Sequence, residues 1–286
     1  MNTLTTRSLV LSLLALPLCA QEGDAAAPKE ADQAPSVEQI VADANRVSYY
    51  QGKDGRAQVK MEIVDAQGRK REREMTILRR DQPAPAELNL KEGDDSFCGE
   101  QSFYVRFRRP ADVDKTTFLV QKKPGKDDDR WLYLPALDLV KRVSSADKRS
   151  SFVGSHFYYE DVSGRHVAAD EHELVETTDT YYVVVSKPKD KASVEFASFK
   201  SWIHKQTYTV VKVEYRDDKD EVYRTYQALA VDKVQGRPTV TKAVMKDLRT
   251  KGQTTVTYSD VAYDVGLPED IFTERYLRRA PRKYMR

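Results

Sequence analysis

Cysteine is almost missing from this chain: 286 residues hold two, Cys19 and Cys98. Met1–Ala20 carries Arg7, the apolar run SLVLSLLALPL and then Cys19 and Ala20, the pattern of a cleaved secretory signal. Its removal leaves Cys98 alone, so no intramolecular disulfide is available in the oxidising compartment to which export leads. Long hydrophobic runs are missing after the N-terminus, which excludes a helical bilayer span there. Charge of one sign is missing too. With 47 Lys and Arg against 45 Asp and Glu the net charge is +2, which gives no reason to invoke nucleic acid.

Catalytic and metal constellations are equally thin. Ser155, in VGSH, lacks the second glycine of a nucleophile elbow. An extended segment would send Ser155 and His156 to opposite faces. The nearest approach to a metal cluster is His166, Asp170, His172 and Glu173, whose spacing fits neither a zincin helix nor a finger and reads as a solvated loop or helix start. The acid runs at 127–129 and 217–220 lack the alternation and glycine of a calcium loop. The expectation is a protein that is not an enzyme, with no catalytic residue, metal or cofactor. A lipid hydrolase using Ser155 is the minority alternative.

What the chain does have is polarity and strand periodicity. Charged residues make up 32% and hydrophobic ones 40%, against about 25% and 45–50% in ordinary domains, a balance that suits a sheet with one wet face. Residues 21–35 are rich in Ala, Pro and acids and read as a disordered tether. If Cys19 were acylated, the tether would be the leash of an inner- or outer-membrane lipoprotein, although Pro17 and Leu18 stand where lipid attachment prefers small residues. Ser36 caps a helix with Val37, Ile40, Val41, Ala44 and Val47 at helical spacing, ended by Gly52 and Gly55. From Arg56 the period becomes two, with Val59, Met61 and Ile63 alternating with Lys60 and Glu62. Strand signals recur at 69–80, 103–108, 116–122, 181–186, 193–204, 207–216, 222–231, 239–248 and 254–260, joined by short polar turns. One helix and many adjacent hairpins predict a mainly β (α+β) fold, a highly curved antiparallel sheet under a helical cover, in one domain over 36–286.

The stretch WLYLPALDLVKRVSSADKRSSFVGSHFYYEDVSG, from Trp131 to Gly164, departs from plain strand chemistry. Pro135 marks an edge or turn, and four aromatics surround Gly154. WLYLPAL with VKRV, followed by SFVGSHFYYED, resembles the LolA-like outer-membrane lipoprotein-sorting proteins. The resemblance extends loosely from FYVRFRRPADVDKTTFLV to YDVGLPEDIFTERYLRR. It implies an unclosed β-barrel with a short helical lid, periplasmic localisation, and a carrier of lipid or lipoprotein acyl chains in an apolar cavity. It also makes an inner-membrane RND-type export pump a plausible partner.

With 16 Tyr and 9 Phe, the inner face is aromatic-rich, which is ordinary core if packed solid and a cavity lining if the sheet stays open. The resemblance favours the cavity. Facing parity and position nominate Phe107, Phe118, Trp131, Tyr133, Phe152, Phe157 and Tyr159 as its lining or lid. If the core is solid, the same fold would be a periplasmic adaptor of an RND-type complex without its own ligand. The basic C-terminus (Arg275, Arg278, Arg279, Arg282, Lys283, Arg286) is either a solvated tail or a contact for an anionic membrane surface.

Overall fold

Residues 34–91 and 97–286 are described by the structure, a computed structural model. The expected signal peptide and the tether up to residue 33 lie outside the described residues. Pro35–Arg286 forms one compact unit, and the other, Met1–Ala34, is outside the described residues but for its last.

The unit opens with α1 (Val37–Tyr49), whose cap is the one read from sequence: Ser36 Oγ accepts from the Gln39 N–H at 3.2 Å. Ile40 and Ala44 bury one face of α1 against Val184 and Ile203. Thirteen strands follow: β1 (Asp54–Val64), β2 (Lys70–Asp81), β3 (Gln101–Arg109), β4 (Thr117–Lys122), β5 (Asp129–Leu134), β6 (Leu139–Arg142), β7 (Asp170–Thr177), β8 (Tyr181–Pro188), β9 (Ser198–His204), β10 (Val210–Arg216), β11 (Val222–Val234), β12 (Arg237–Asp247) and β13 (Gly252–Tyr263).

All thirteen form one antiparallel sheet in the order β6-β5-β4-β3-β2-β1-β13-β12-β11-β10-β9-β8-β7. It is two hairpin meanders, β1–β6 and β7–β13, joined where β1 pairs with β13. Such nearest-neighbour hairpins need only short turns. Asp65 closes the first by accepting the Gln67 and Arg69 N–H groups at 3.0 Å. Bulges at Arg56/Gln58, Val210/Lys212 and Ala228/Ala230 add local bend and twist. The outer strands β6 and β7 do not pair with each other, so the highly curved sheet is an unclosed barrel.

This order forces one long connection. Residues 143–169 must run from the β6 edge to the β7 edge, and they cross the inner face, forming the short helix α2 (Tyr159–Ser163) on the way. There Phe152 and Tyr159 pack onto Phe107 of β3 and Phe118 of β4. On the outer face Leu78, Tyr104, Leu119 and Tyr133 are covered by Leu267, Ile271, Phe272 and Leu277. The C-terminus is therefore docked onto the sheet. Asp54 accepts the Val265 and Leu267 N–H groups at 2.7 and 2.8 Å, and Tyr104 Oη donates to the Tyr276 carbonyl at 2.9 Å. The helix α3 (Glu274–Arg278) presses Leu277 inward, while the six basic residues of this segment stay exposed.

Candidate functional site: a hollow beneath the crossover

Residues of β3 and β4 alternate faces, and the inward members, Phe103, Val105, Phe107, Phe118 and Val120, belong to one buried cluster. Four rings, Phe107, Phe118, Phe152 and Tyr159, meet with centroids 5.1–5.7 Å apart and fill this half of the inner face. The other half is not filled. A hollow of about 450 Å³ lies there, bounded by β1, β2 and β9–β13, the end of α1, and residues 149–165 of the crossover. Its wall is mainly Val59, Met61, Met75, Val213, Met245 and Val256 from the sheet, with Phe152, Phe157 and Val162 from the crossover. Tyrosines 49, 215, 226, 258 and 263 also border it.

The crossover is fastened to the rest of the unit by charge. Arg149 donates from Nε and Nη2 to Glu195 at 2.9 and 2.6 Å, and from Nη1 to Glu160 at 3.0 Å. Burial pushes the Glu195 carboxyl up, but Arg149 more than offsets this and holds it below the usual range. Arg165 donates to Asp170 at 2.9 Å. Arg224, fully buried on β11, bonds the Asp161 carboxylate and the His156 carbonyl, with its guanidinium 3.9 Å from the Tyr158 ring centroid. The bidentate geometry of Arg149 on Glu195 and of Arg165 on Asp170 fixes orientation as well as charge.

Beneath the crossover's end, Lys122 Nζ donates to the Ser163 carbonyl at 2.9 Å and lies 5.1 Å from the Tyr49 ring centroid. Burial pulls its ammonium down to about 8, although Asp128 and other acids oppose the shift. Gly164 follows, with φ of 78°. A Cβ there would meet the Tyr49 ring at 2.5 Å, so both backbone and space call for glycine.

Residues 99–279 match the model of a family described as "uncharacterized protein". A crystal structure of a DUF1329 family protein from Desulfovibrio piger is 26% identical, covers 83% of this chain and 96% of its own, and superposes with a TM-score of 0.72. The chain belongs to the DUF1329 family. A domain from Vibrio parahaemolyticus, assigned by inference to outer membrane lipoprotein sorting, is also 26% identical, with 84% of this chain and 97% of that one covered at a TM-score of 0.72. The LolA superfamily protein NE2245 from Nitrosomonas europaea, 18% identical over 85% of this chain and 100% of its own at a TM-score of 0.63, shares the fold. None of the curated proteins compared matches the chain. The fold is thus LolA-like, as the motifs around Trp131–Gly164 imply.

In this DUF1329 chain the seven residues nominated from sequence fall into three places. Phe152 and Phe157 border the hollow. Phe107, Phe118 and Tyr159 lie in the packed half beside it. Trp131 and Tyr133 are on the opposite face, under the C-terminal segment, because Leu119 pairs with Trp131 and Thr117 with Tyr133 while Phe118 faces the interior. One-residue parity separates them.

The bordering charges Arg149 and Arg165 and the tyrosines of β10, β11 and β13 were not nominated. The shared-face spacing of Val213 with Tyr215 and of Val256 with Tyr258 is visible in the sequence, but which face those strands turn inward is set by pairing with β1 and β9. Ser155 Oγ accepts from the Phe157 N–H at 3.2 Å, and His156 Nδ1 lies 2.9 Å from Thr254 Oγ1, so serine and histidine have separate partners. His172, expected on a solvated loop or helix start, stands on edge strand β7 with Nδ1 2.7 Å from Ser186 Oγ, and His166 Nε2 is 2.9 Å from Asp128. Among the described residues no three His, Cys, Asp or Glu side chains converge as metal ligands.

Proposed function

We propose that this protein is a periplasmic carrier that shelters a lipid, or the acyl chains of a lipoprotein, in the hollow between the open sheet and its crossover. The observation that supports this reading is the apolar hollow of about 450 Å³ in a LolA-like fold, within the roughly 300–1,000 Å³ of small-ligand sites. Carriage needs no covalent step. An acyl chain entering the hollow gains about 0.8 kcal/mol per buried methylene. Release requires a state that binds less tightly, and the crossover, which borders the hollow and is anchored by ion pairs, is the element whose movement would provide it. An RND-type membrane transporter fits as the partner that triggers such movement, and the exposed cations Arg275 to Arg286 suit an anionic membrane surface.

Native mass spectrometry with lipid extraction, on protein recovered from its own periplasm, tests the proposal. Phospholipid or acylated protein near one per chain is the expected result. A clean apo mass without uptake of a fluorescent fatty acid would sink it and leave an adaptor role on the same fold.

A further inference from the structure

Among the described residues, Leu137 is the most exposed of the large hydrophobic side chains, at 70%, and Leu139 is exposed at 45%. They flank Asp138 where β5 turns into β6, at one edge of the sheet. Backbone chemistry fixes this turn. Pro135 opens it, and Asp138 closes it in the left-handed region with φ of 46°. Single exposed leucines are ordinary on a protein surface, but two beside one turn make a small apolar projection that the core does not account for.

The same turn is tied to the basic C-terminal segment. Arg278 of α3 donates from Nε to the Asp138 carboxylate at 2.9 Å and from Nη2 to the Asp138 carbonyl at 3.3 Å. Its hydrogen bond holds the Asp138 carboxyl below the usual range, so the acid between the two leucines is matched by a cation. Beyond Arg278 the chain runs back over the outer face, where Gln58 Nε2 donates to the Met285 carbonyl at 3.2 Å. Arg275, Arg279, Arg282, Lys283 and Arg286 are exposed along this course, and none of them forms an ion pair. Within 269–286 the basic residues outnumber the acids Glu269, Asp270 and Glu274 two to one. Lys141 on β6 adds another exposed cation without an ion pair.

We propose that the turn holding Leu137 and Leu139 is a membrane wedge, whose leucines enter the interface of an anionic bilayer while the cations of the C-terminal segment meet lipid phosphates beside it. This rests on the membrane contact proposed for the basic segment and adds the element that inserts. Either signal is weak alone. Each cation near an anionic surface strengthens partition by about fivefold, an effect that salt screens. The leucines supply an apolar contribution that salt does not screen, and peripheral proteins that stay bound combine the two. A protein partner fits this surface less well, because a stable interface takes roughly 800 Å² from each side and two leucines at one turn offer a fraction of that. A bilayer needs no matching shape. Alternate turns of the β1–β6 meander, at 65–69, 110–116 and 135–138, fall at the same end of the sheet. Arg71, beside the first of them, donates to the Gly154 carbonyl of the crossover at 3.3 Å. Docking at this end would set the cover of the hollow beside the lipid.

Flotation of the whole mature protein with vesicles of phosphatidylcholine, alone or mixed with phosphatidylglycerol, tests this. Binding is expected on the mixed vesicles and is expected to be about tenfold or more weaker on phosphatidylcholine alone. Leu137→Asn combined with Leu139→Asn should weaken it by about tenfold or more, at low and high salt alike. Arg279→Gln and Arg282→Gln should each weaken it by about fivefold at low salt, and by less as salt rises. Leu229→Asn removes a leucine from β11 that is about as exposed as Leu139 and should change nothing. All these positions are exposed, so thermal unfolding and uptake of a fluorescent fatty acid should match the parent in every variant. Absence of binding to the mixed vesicles, or full binding by the double leucine variant, overturns the wedge. The carrier reading then stands or falls on fatty-acid uptake, which is measured separately. A parent that is dimeric in solution, with a monomeric double leucine variant, gives the turn to a second copy of the chain and also overturns the proposal.

Discussion

The inner face of one sheet is built in two ways. On the β3–β4 side, Phe107 and Phe118 receive Phe152 and Tyr159 from the crossover, and the space is full. On the side of β1 and β10–β13, valines, methionines and tyrosines meet the crossover across a hollow. Apolar residues facing inward therefore do not by themselves specify either a core or a cavity. What decides is the reach of the cover. Phe152 and Tyr159 bridge the gap on one side, whereas Phe157 and Val162 border it on the other without closing it.

The strongest test of that contrast removes the same side chain from each half. Phe118→Ala, at a position with no exposure between the rings of Phe152 and Tyr159, should cost about 3–5 kcal/mol in urea or guanidinium unfolding. Phe157→Ala takes a ring that already borders open space, and should cost less than half as much. Equal losses would mean that the hollow is closed in solution and the two halves are alike.

Next comes the fastening of the cover. Arg149→Met keeps most of the side-chain volume but leaves Glu195 without its guanidinium and Glu160, which is nearly buried, with only the longer contacts to Arg165 and Lys148. Breaking a buried pair from one side costs on the order of 3 kcal/mol. Hydrogen exchange should quicken at the amides of 150–164 and stay unchanged in β3 and β4. A uniform rise across the sheet would show that the crossover does not open by itself.

A pH series addresses the buried cation under the cover's end. Lys122, pulled to about 8 in the folded protein, titrates near 10.4 once unfolded. Between these values the unfolded chain keeps a proton that the folded one has lost, so stability rises with pH across that window. Below about pH 8 both states are protonated and burial of the ammonium costs its full amount, on the order of 3 kcal/mol. Unfolding at about pH 7.5 and 9.5 should therefore show a gain at the higher value, before tyrosine ionisation in the unfolded chain opposes it. Lys122→Met should flatten the slope. A slope unchanged in the variant would assign it to other groups.

The repeating elements were legible in the sequence because they depend on local chemistry. Ser36 caps α1 where its spacing says, and alternation in Val59, Met61 and Ile63 marks β1. The edge strand β7 was not legible: in DEHELVET, exposed on most of its length, no apolar face reveals the period, and charge reads as loop. The site was legible only in part, for a different reason. Phe152 and Phe157 could be nominated from the crossover's aromatics, but Trp131 and Tyr133 share a strand with inward Leu132, and only pairing with β4 tells which parity faces in. The docked C-terminus followed the same rule. Its basic residues are visible in any reading, whereas Leu267, Ile271, Phe272 and Leu277 acquire meaning once the outer face of β2–β5 exists to receive them.

The smallest effect on stability should come from filling the hollow. Ala57 on β1 borders it beside Val59, and its neighbours there are apolar. An indole placed at this position has open space to enter, so Ala57→Trp should change unfolding by less than about 1 kcal/mol. Enlarging Val105, which lies wholly buried in the packed half, to Phe should cost about 1–3 kcal/mol through overpacking. Ligand uptake should respond in the opposite order. Ala57→Trp removes volume that an acyl chain needs and should weaken binding by tenfold or more, while Val105→Phe, where it folds, should bind as the parent does. If Ala57→Trp destabilises as much as Val105→Phe and leaves uptake intact, the hollow is not the binding space and the difference between the two halves has no functional meaning.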